Sequence, residues 1–209
     1  MKHYILIPLM VMFVCFSCKN TTPLETNEVA PKATLDFPEP RKGSQFNYSF
    51  EEKGQTIPVQ FQIQNFEKDI DFIYLISSQS QREGGFHVNN ELKETAISTT
   101  FDFVNFNTID LDQIGLLIGK KRYNELIEKG KMEYNLGKGT KEYYFLQNED
   151  VLIKNNNKPI YISTIKITDE KQSELYWIYK HINFPLIIKA ESDSKFQLLE
   201  WNDPKENDF

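Results

Sequence analysis

The chain has 209 residues and a formal net charge of −6 at pH 7, with 40% hydrophobic and 13% aromatic residues. This acidic balance argues against a nucleic-acid-binding protein, because such binding depends on clustered cations. Its only cysteines are Cys15 and Cys18, so the rest of the chain offers no disulfide, thiol nucleophile or cysteine metal site. The length suits one domain with its own core.

The first 18 residues have the layout of a secretory signal. Lys2 precedes an apolar stretch from Tyr4 to Phe16, and Ser17 and Cys18 follow it. A positive start, a short apolar run and a small residue are the parts of such a signal. A cysteine directly behind them resembles the lipobox of bacterial lipoproteins.

This resemblance implies that residues 1–17 are removed and that acylated Cys18 anchors the chain in the lipid bilayer. The apolar run is shorter than the roughly 20 residues of a transmembrane helix. An ordinary signal peptide cleaved near Ser17 remains open, because only Ser17 fits the usual residues before a lipobox cysteine. Lys19 is not the aspartate that commonly retains such proteins at the inner membrane. The resemblance therefore implies the outer membrane, on its periplasmic or surface side.

Composition divides the remaining chain into three parts. Residues 18–44 are polar and contain four prolines, which predicts a flexible tether behind the lipidated cysteine. Residues 45–201 are predicted to form a single β-rich domain. Residues 202–209 would be a C-terminal tail.

Apolar and polar residues alternate from residue 45 onward, which is typical of strands with one buried face. Residues 46–50 and 57–63 show this period, and residues 70–76 are apolar on both faces. Further strands are predicted at 86–88, 97–103, 116–118, 132–136, 143–146, 151–153, 160–167, 174–179, 186–190 and 195–201.

One helix is predicted at Arg122–Lys129, because Tyr123, Leu126 and Ile127 share a face and Gly130 suits a helix end. About ten strands and one short helix predict a mainly β fold. Successive hairpins favour an antiparallel meander, arranged as a half-barrel, barrel or sandwich.

Few residues offer chemistry. His87 lies in a polar segment and is predicted to be a solvated loop residue. His181 lies a few residues before Pro185 and is predicted to be a turn residue. The carboxylate pairs Asp69/Asp71 and Asp110/Asp112 would each share a strand face, but neither lies in a calcium-binding loop. No phosphate-binding glycine motif is present. No catalytic residue, cofactor or metal ligand is predicted.

The aromatic residues are the positive signal. Most should be core, because alternation points them inward. A surplus would line a cavity for an acyl chain or form a platform for sugars. Trp177, Trp201 and His87 are the residues predicted as possible ligand contacts.

The C-terminal half, residues 118–201, resembles a group of uncharacterised bacterial lipoproteins. The resemblance rests on Ile118 with Tyr123–Leu126, on Lys154–Pro159, and on Tyr176–Ile178 followed by Asn183–Lys189. It implies no activity and no catalytic residues.

Three functional hypotheses follow. The first is an anchored, non-catalytic binding module for an amphiphile or envelope component, with a lipid, glycan or envelope protein as partner. The second is a structural or accessory subunit of an envelope complex, and the third is a hydrolase. An apolar cavity would favour the first, an exposed apolar patch the second, and a cleft holding His87 with two carboxylates the third.

Overall fold

The computed structural model describes residues 33–52, 54–77, 81–100, 113–193 and 195–204. Cys18 and the pair Asp110/Asp112 lie outside these residues. The described chain forms thirteen strands and two helices. In chain order they are β1 Thr34–Asp36, β2 Gln45–Glu52, β3 Gln55–Phe66, β4 Ile70–Ile76, β5 Arg82–Val88, α1 Asn90–Thr95, β6 Ser98–Thr100, β7 Gln113–Gly115, α2 Lys120–Lys129, β8 Lys131–Asn135, β9 Thr140–Asn155, β10 Lys158–Asp169, β11 Leu175–Tyr179, β12 Ile187–Glu191 and β13 Lys195–Asn202.

Two antiparallel meanders make up most of the sheet. One runs from β2 to β5 and the other from β8 to β13. β13 joins them by pairing with β2, so the order is β5-β4-β3-β2-β13-β12-β11-β10-β9-β8-β6-β7. β13 also pairs with β9 at Glu200 and Trp201. The five consecutive strands from β9 to β13 therefore form a closed ring in which each strand pairs with the next and the last pairs with the first. The predicted mainly β meander is confirmed, although parallel pairings of β1, β6 and β13 make the sheet mixed.

Strand alternation builds the core as predicted. Phe46 and Tyr48 on β2, Phe61 on β3 and Trp201 on β13 are at most 1% exposed. The Phe46 and Trp201 rings meet edge to face with centroids 4.7 Å apart, a geometry that adds about 0.5–1.5 kcal/mol beyond the buried area. The opposite face of β2 and β3 carries polar side chains.

Two helices form where the sequence predicted one. α2 begins at Lys120, two residues before the prediction, and ends at Gly130, whose φ of 72° is left-handed and whose N–H donates to the Leu126 carbonyl. Ile127 is 52% exposed, although it was expected on the buried face. α1 was missed because it has six residues and buries none of them. Its signal was Asn89, whose side chain accepts from the Leu92 N–H.

The segment predicted as a tether is held against the domain over its last eleven residues, 34–44. β1 pairs in parallel with β10, beginning at Thr34 opposite Ile160. The Tyr179 hydroxyl donates to the Pro38 carbonyl at 3.1 Å. This segment therefore belongs to the packed structure, which begins earlier in the chain than residue 45.

The predicted turn between β9 and β10 is confirmed. Asn156 and Asn157 have φ values of 47° and 67°, which two-residue hairpins with right-handed strand twist require. Asparagine tolerates this backbone better than most residues. The turn lies beside the end of β13, since the Asn156 N–H donates to the Trp201 carbonyl at 3.4 Å.

Candidate functional site

The β4–β5 pair brings His87 together with the carboxylate pair Asp69/Asp71, which the sequence singled out separately from it. Asp71 lies directly opposite His87 in the register. His87 Nδ1 is 2.6 Å from an Asp71 carboxylate oxygen, and Nε2 is 3.8 Å from an Asp69 oxygen. Asp69 also accepts the backbone N–H of Asn90 at 2.8 Å, at the start of α1.

This cluster is exposed, with side-chain exposures of 54% for His87, 38% for Asp69 and 43% for Asp71. The two carboxylates face opposite ring nitrogens, so they bracket the imidazole instead of converging on one point. The described residues contain no group of three or more His, Cys, Asp or Glu side chains that could hold a metal ion. The cluster therefore supplies carboxylates beside a histidine without the cleft that catalysis needs.

His181 lies between β11 and β12. Its ring stacks on Tyr179 with centroids 5.9 Å apart, and its Nε2 is 3.0 Å from a Glu39 oxygen. These contacts attach the segment before β2 to the core, which is a structural role.

Neither tryptophan presents its ring to solvent. Trp177 is 2% exposed and Trp201 is 0% exposed, so neither forms the predicted ligand platform. The ammonium groups of Lys166 and Lys189 lie 4.5 and 4.4 Å from the Trp177 ring centroid, on the strands to either side. Cation–π contacts and lysine stems thus cover this ring.

Trp201 has a second role, because its indole N–H donates to Asp203 at 3.1 Å. The Asn155 side-chain amide donates to the other Asp203 oxygen at 3.2 Å. These two bonds fix the end of β13 beside the β9–β10 turn.

A groove of about 780 Å³ with both polar and apolar lining lies at this junction, within the range of small-molecule sites. It is the largest of four grooves that we characterise among the described residues. Six of its eleven lining residues carry carboxamides, and we call it the carboxamide groove. These six are Gln45, Gln62, Gln64, Asn156, Asn157 and Asn202.

Most of these carboxamides have no side-chain hydrogen-bond partner among the residues that the structure describes. The Gln45 oxygen accepts from Gln60 at 3.3 Å. The side chains of the other five make no hydrogen bond to any described residue. Each carboxamide offers two donors and one acceptor, so the groove presents an array of hydrogen-bonding groups to solvent.

The neighbouring polar face behaves differently. Gln60 also donates to Asn47 at 3.1 Å, and Asn47 donates to Glu200 at 3.0 Å. These amides form a cross-strand ladder over β3, β2 and β13, which supports the sheet. Amides on this face are therefore not all unpaired, and the groove gathers five that are, although a single one also occurs outside it at Gln197, whose side chain makes no hydrogen bond to a described residue.

The groove wall is built from fixed backbone. The Gly43 N–H donates to the Ile63 carbonyl at 2.8 Å. Gln64 is the extra residue of a bulge, since Ile63 pairs with Phe72 and Asn65 with Asp71. Bulges re-aim side chains and are common near functional sites.

The other large polar feature is buried around Glu174, and we call it the Glu174 network. The Glu174 side chain is 4% exposed and lies 2.7 Å from the Lys141 ammonium. Its second oxygen accepts from the Tyr143 hydroxyl at 2.9 Å and from the Tyr176 hydroxyl at 3.5 Å. Burial raises the pKa of Tyr176 to about 12, and burial also raises the pKa of Tyr143.

A row of exposed apolar residues crosses three other strands. Leu35 on β1 pairs with Tyr161 on β10, which pairs with Leu152 on β9. Their exposures are 53%, 40% and 49%. We call this set the apolar row.

Comparisons with protein-family models, curated proteins and solved structures find no match for this chain. Among the described residues, no helix has the length and apolar character needed to cross a membrane.

Sequence reasoning missed the carboxamide groove. Its residues come from four separate segments, 42–45, 62–64, 156–157 and 202–204, whose adjacency follows from β13 pairing with both β2 and β9. The one available signal was Gln60, Gln62 and Gln64 on the polar face of an alternating strand.

Proposed function

We propose that this chain is a lipid-anchored, non-catalytic binding module of the cell envelope that holds an envelope component in the carboxamide groove. The observation that carries this proposal is that one groove gathers five carboxamides whose side chains make no hydrogen bond to a described residue. Cys18, behind its signal-like leader, supplies the proposed anchor in the outer membrane.

The groove geometry favours a polar component over an amphiphile. All four characterised grooves are open to solvent and carry both polar and apolar groups. Aromatic rings that would line an acyl-chain cavity instead pack against one another, as Phe46 and Trp201 do. Carboxamides are six of the eleven residues that line the groove, beside the apolar side chains of Ile63 and Pro204.

The same geometry favours binding over hydrolysis. The carboxamide groove contains no histidine, and its one carboxylate, Asp203, already accepts from Trp201 and Asn155. His87 and its carboxylates lie outside the groove. A base and a nucleophile are thus not brought together beside the groove's hydrogen-bonding groups.

The anchor is tested by Cys18→Ala in the native host. We expect the variant to leave the membrane fraction while keeping its fold, measured by fractionation and circular dichroism. A wild-type protein whose intact mass shows no acyl chains, or a variant retained on membranes after a high-salt wash, would contradict the proposed anchor.

The binding role is tested separately by co-sedimentation. Full-length Cys18→Ala protein is mixed with envelopes isolated from the host. We expect saturable binding that is lost in Gln62→Ala/Asn202→Ala and retained in Gln197→Ala, a matched change at the other end of β13. Equal binding of all three proteins would contradict the groove as the binding site, and no binding at all would contradict the module.

The apolar row favours a second candidate, an accessory subunit that docks on an envelope protein. Leu35, Tyr161 and Leu152 are directly paired across three strands, so they form a continuous apolar strip. Under this alternative, Leu152→Lys would abolish co-sedimentation while Gln62→Ala/Asn202→Ala would not.

A further inference from the structure

We infer that the component bound in the carboxamide groove is a neutral oligosaccharide, an inference that rests on the proposed function of this groove. The groove combines three features: carboxamides without hydrogen-bond partners among the described residues, a lining with little net charge, and a wall of hydrogen-bonded backbone. Each of these features bears on the ligand class.

The hydrogen-bonding pattern matches hydroxyl groups. A sugar hydroxyl both donates and accepts, and a carboxamide presents both kinds of group on one flat end. Gln62 and Asn202 are half-buried, so their amides are positioned without being closed off. Sites built from such groups discriminate strongly against ligands that lack the matching hydroxyls.

The charge of the groove argues against ionic ligands. Lys42 and Asp203 are its only charged lining residues. Asp203 is already engaged by the Trp201 indole and the Asn155 amide, which leaves one lysine at the edge. Phosphate-rich or polyanionic ligands are normally held by several cations, so a neutral polyol fits the lining better.

The dimensions and rigidity suit a short sugar chain. A volume of about 780 Å³ accommodates a few sugar rings, since drug-sized ligands occupy sites of roughly 300–1,000 Å³. The left-handed turn at Asn156 and Asn157 and the bulge at Gln64 both contribute lining side chains to the groove from defined backbone conformations. This preorganisation lowers the entropic cost of ordering the site.

Trp201 takes part as a positioning residue. It is fully buried, directly precedes the lining residue Asn202, and holds Asp203 and the end of β13 in place through its indole N–H. Sugar rings would therefore be contacted along their hydroxyl edges and not stacked on an aromatic face. Affinity without stacking should be modest, on the order of a millimolar dissociation constant.

The test is a nuclear magnetic resonance titration of ¹⁵N-labelled full-length Cys18→Ala protein. The probes are maltotetraose and the tetramer of N-acetylglucosamine. We expect at least one probe to shift the side-chain NH₂ signals of Gln62, Gln64 and Asn202 in a saturable way. Gln62→Ala/Asn202→Ala should weaken binding by about tenfold or more, the effect of losing two hydrogen bonds, while Gln197→Ala should leave it unchanged.

Shifts that persist in the double variant, or no shifts with either probe up to about 10 mM, would overturn the inference. Treating the host envelopes separates this outcome from failure of the binding module. Periodate, which cleaves the vicinal diols of glucose-type chains, or a glycosidase that hydrolyses N-acetylglucosamine chains should abolish co-sedimentation of the protein. Binding that survives both of these treatments but is lost after protease treatment would overturn the oligosaccharide while leaving the module intact.

Discussion

The Glu174 network and the carboxamide groove are both polar, yet their side chains use their hydrogen-bonding groups in opposite ways. Glu174 is almost fully buried, and each of its oxygens meets donors from Lys141, Tyr143 or Tyr176. Gln62 and Asn202 in the groove make no side-chain hydrogen bond to a described residue. Buried polar groups are tolerated only when they are hydrogen-bonded. Polar groups that bind a ligand instead need donors and acceptors that the protein itself does not use.

Under the proposed function, this difference separates the residues that stabilise the fold from those that bind the ligand. Residues of the network should influence unfolding and leave ligand binding alone. Residues of the groove should do the reverse. Substitutions in each region can therefore sharpen or break the contrast.

The largest effect is expected for Glu174→Ala. It leaves the buried Tyr143 hydroxyl without its acceptor and Lys141 without its closest carboxylate. We expect a loss of about 3 kcal/mol in the free energy of unfolding, measured by denaturant titration. As control, Glu142→Ala removes a 41% exposed carboxylate that pairs with Lys131 and should cost less than about 1 kcal/mol. An equal loss of unfolding free energy in the two variants would contradict the claim that the buried network stabilises the fold more than exposed pairs do.

Alkaline pH should weaken the network next. Burial raises the pKa of Tyr176 from its ordinary value of 10.0 to about 12, so the folded state disfavours the ionised form. This contribution is fully present below pH 10 and is lost as the pH rises through 12, by about 2–3 kcal/mol. Denaturation at a series of pH values measures it, and Tyr176→Phe should flatten that part of the profile. An unchanged profile in Tyr176→Phe would contradict the assignment.

The His87 cluster lies between the two cases, because its groups are paired but exposed. Solvent screens such pairs, so His87→Ala should change the free energy of unfolding by less than about 1 kcal/mol. Thermal denaturation measures the change. A loss of unfolding free energy larger than that of Glu174→Ala would show that these exposed ion pairs contribute more to stability than the buried network does.

The smallest effect on stability is expected in the groove itself. Gln62→Ala/Asn202→Ala removes two side chains that make no hydrogen bond to a described residue and should change the free energy of unfolding by less than about 0.5 kcal/mol. Denaturant titration of this variant beside Gln197→Ala measures it. A substantial loss of stability would mean that these amides support the fold after all.

Sequence reasoning recovered what local pattern encodes. Period-two alternation placed Phe46, Tyr48 and Phe61 on the core face, and Gly130 marked the end of α2. It missed α1, whose six residues bury nothing and so leave no apolar period. It also assigned residues 34–44 to the tether, because the pairing of Thr34 with Ile160 leaves no local signal in a short, proline-rich segment.

The polar sites depended on long-range register. His87 and Asp71 were noted separately, and only the β4–β5 register places them opposite each other. The groove required β13 to pair with both β2 and β9, which local periodicity does not predict. Trp177 and Trp201 were recognised as large rings near strand ends, but neighbouring strands decide which rings stay exposed.

The account is tested most directly by hydrogen–deuterium exchange of full-length Cys18→Ala protein with and without host envelopes. We predict that bound envelopes slow exchange in the groove segments around residues 42–45, 62–64, 155–158 and 202–204, and leave segment 168–176 of the Glu174 network unchanged. Protection confined to other surfaces, or no protection in the groove, would contradict the carboxamide groove as the binding site.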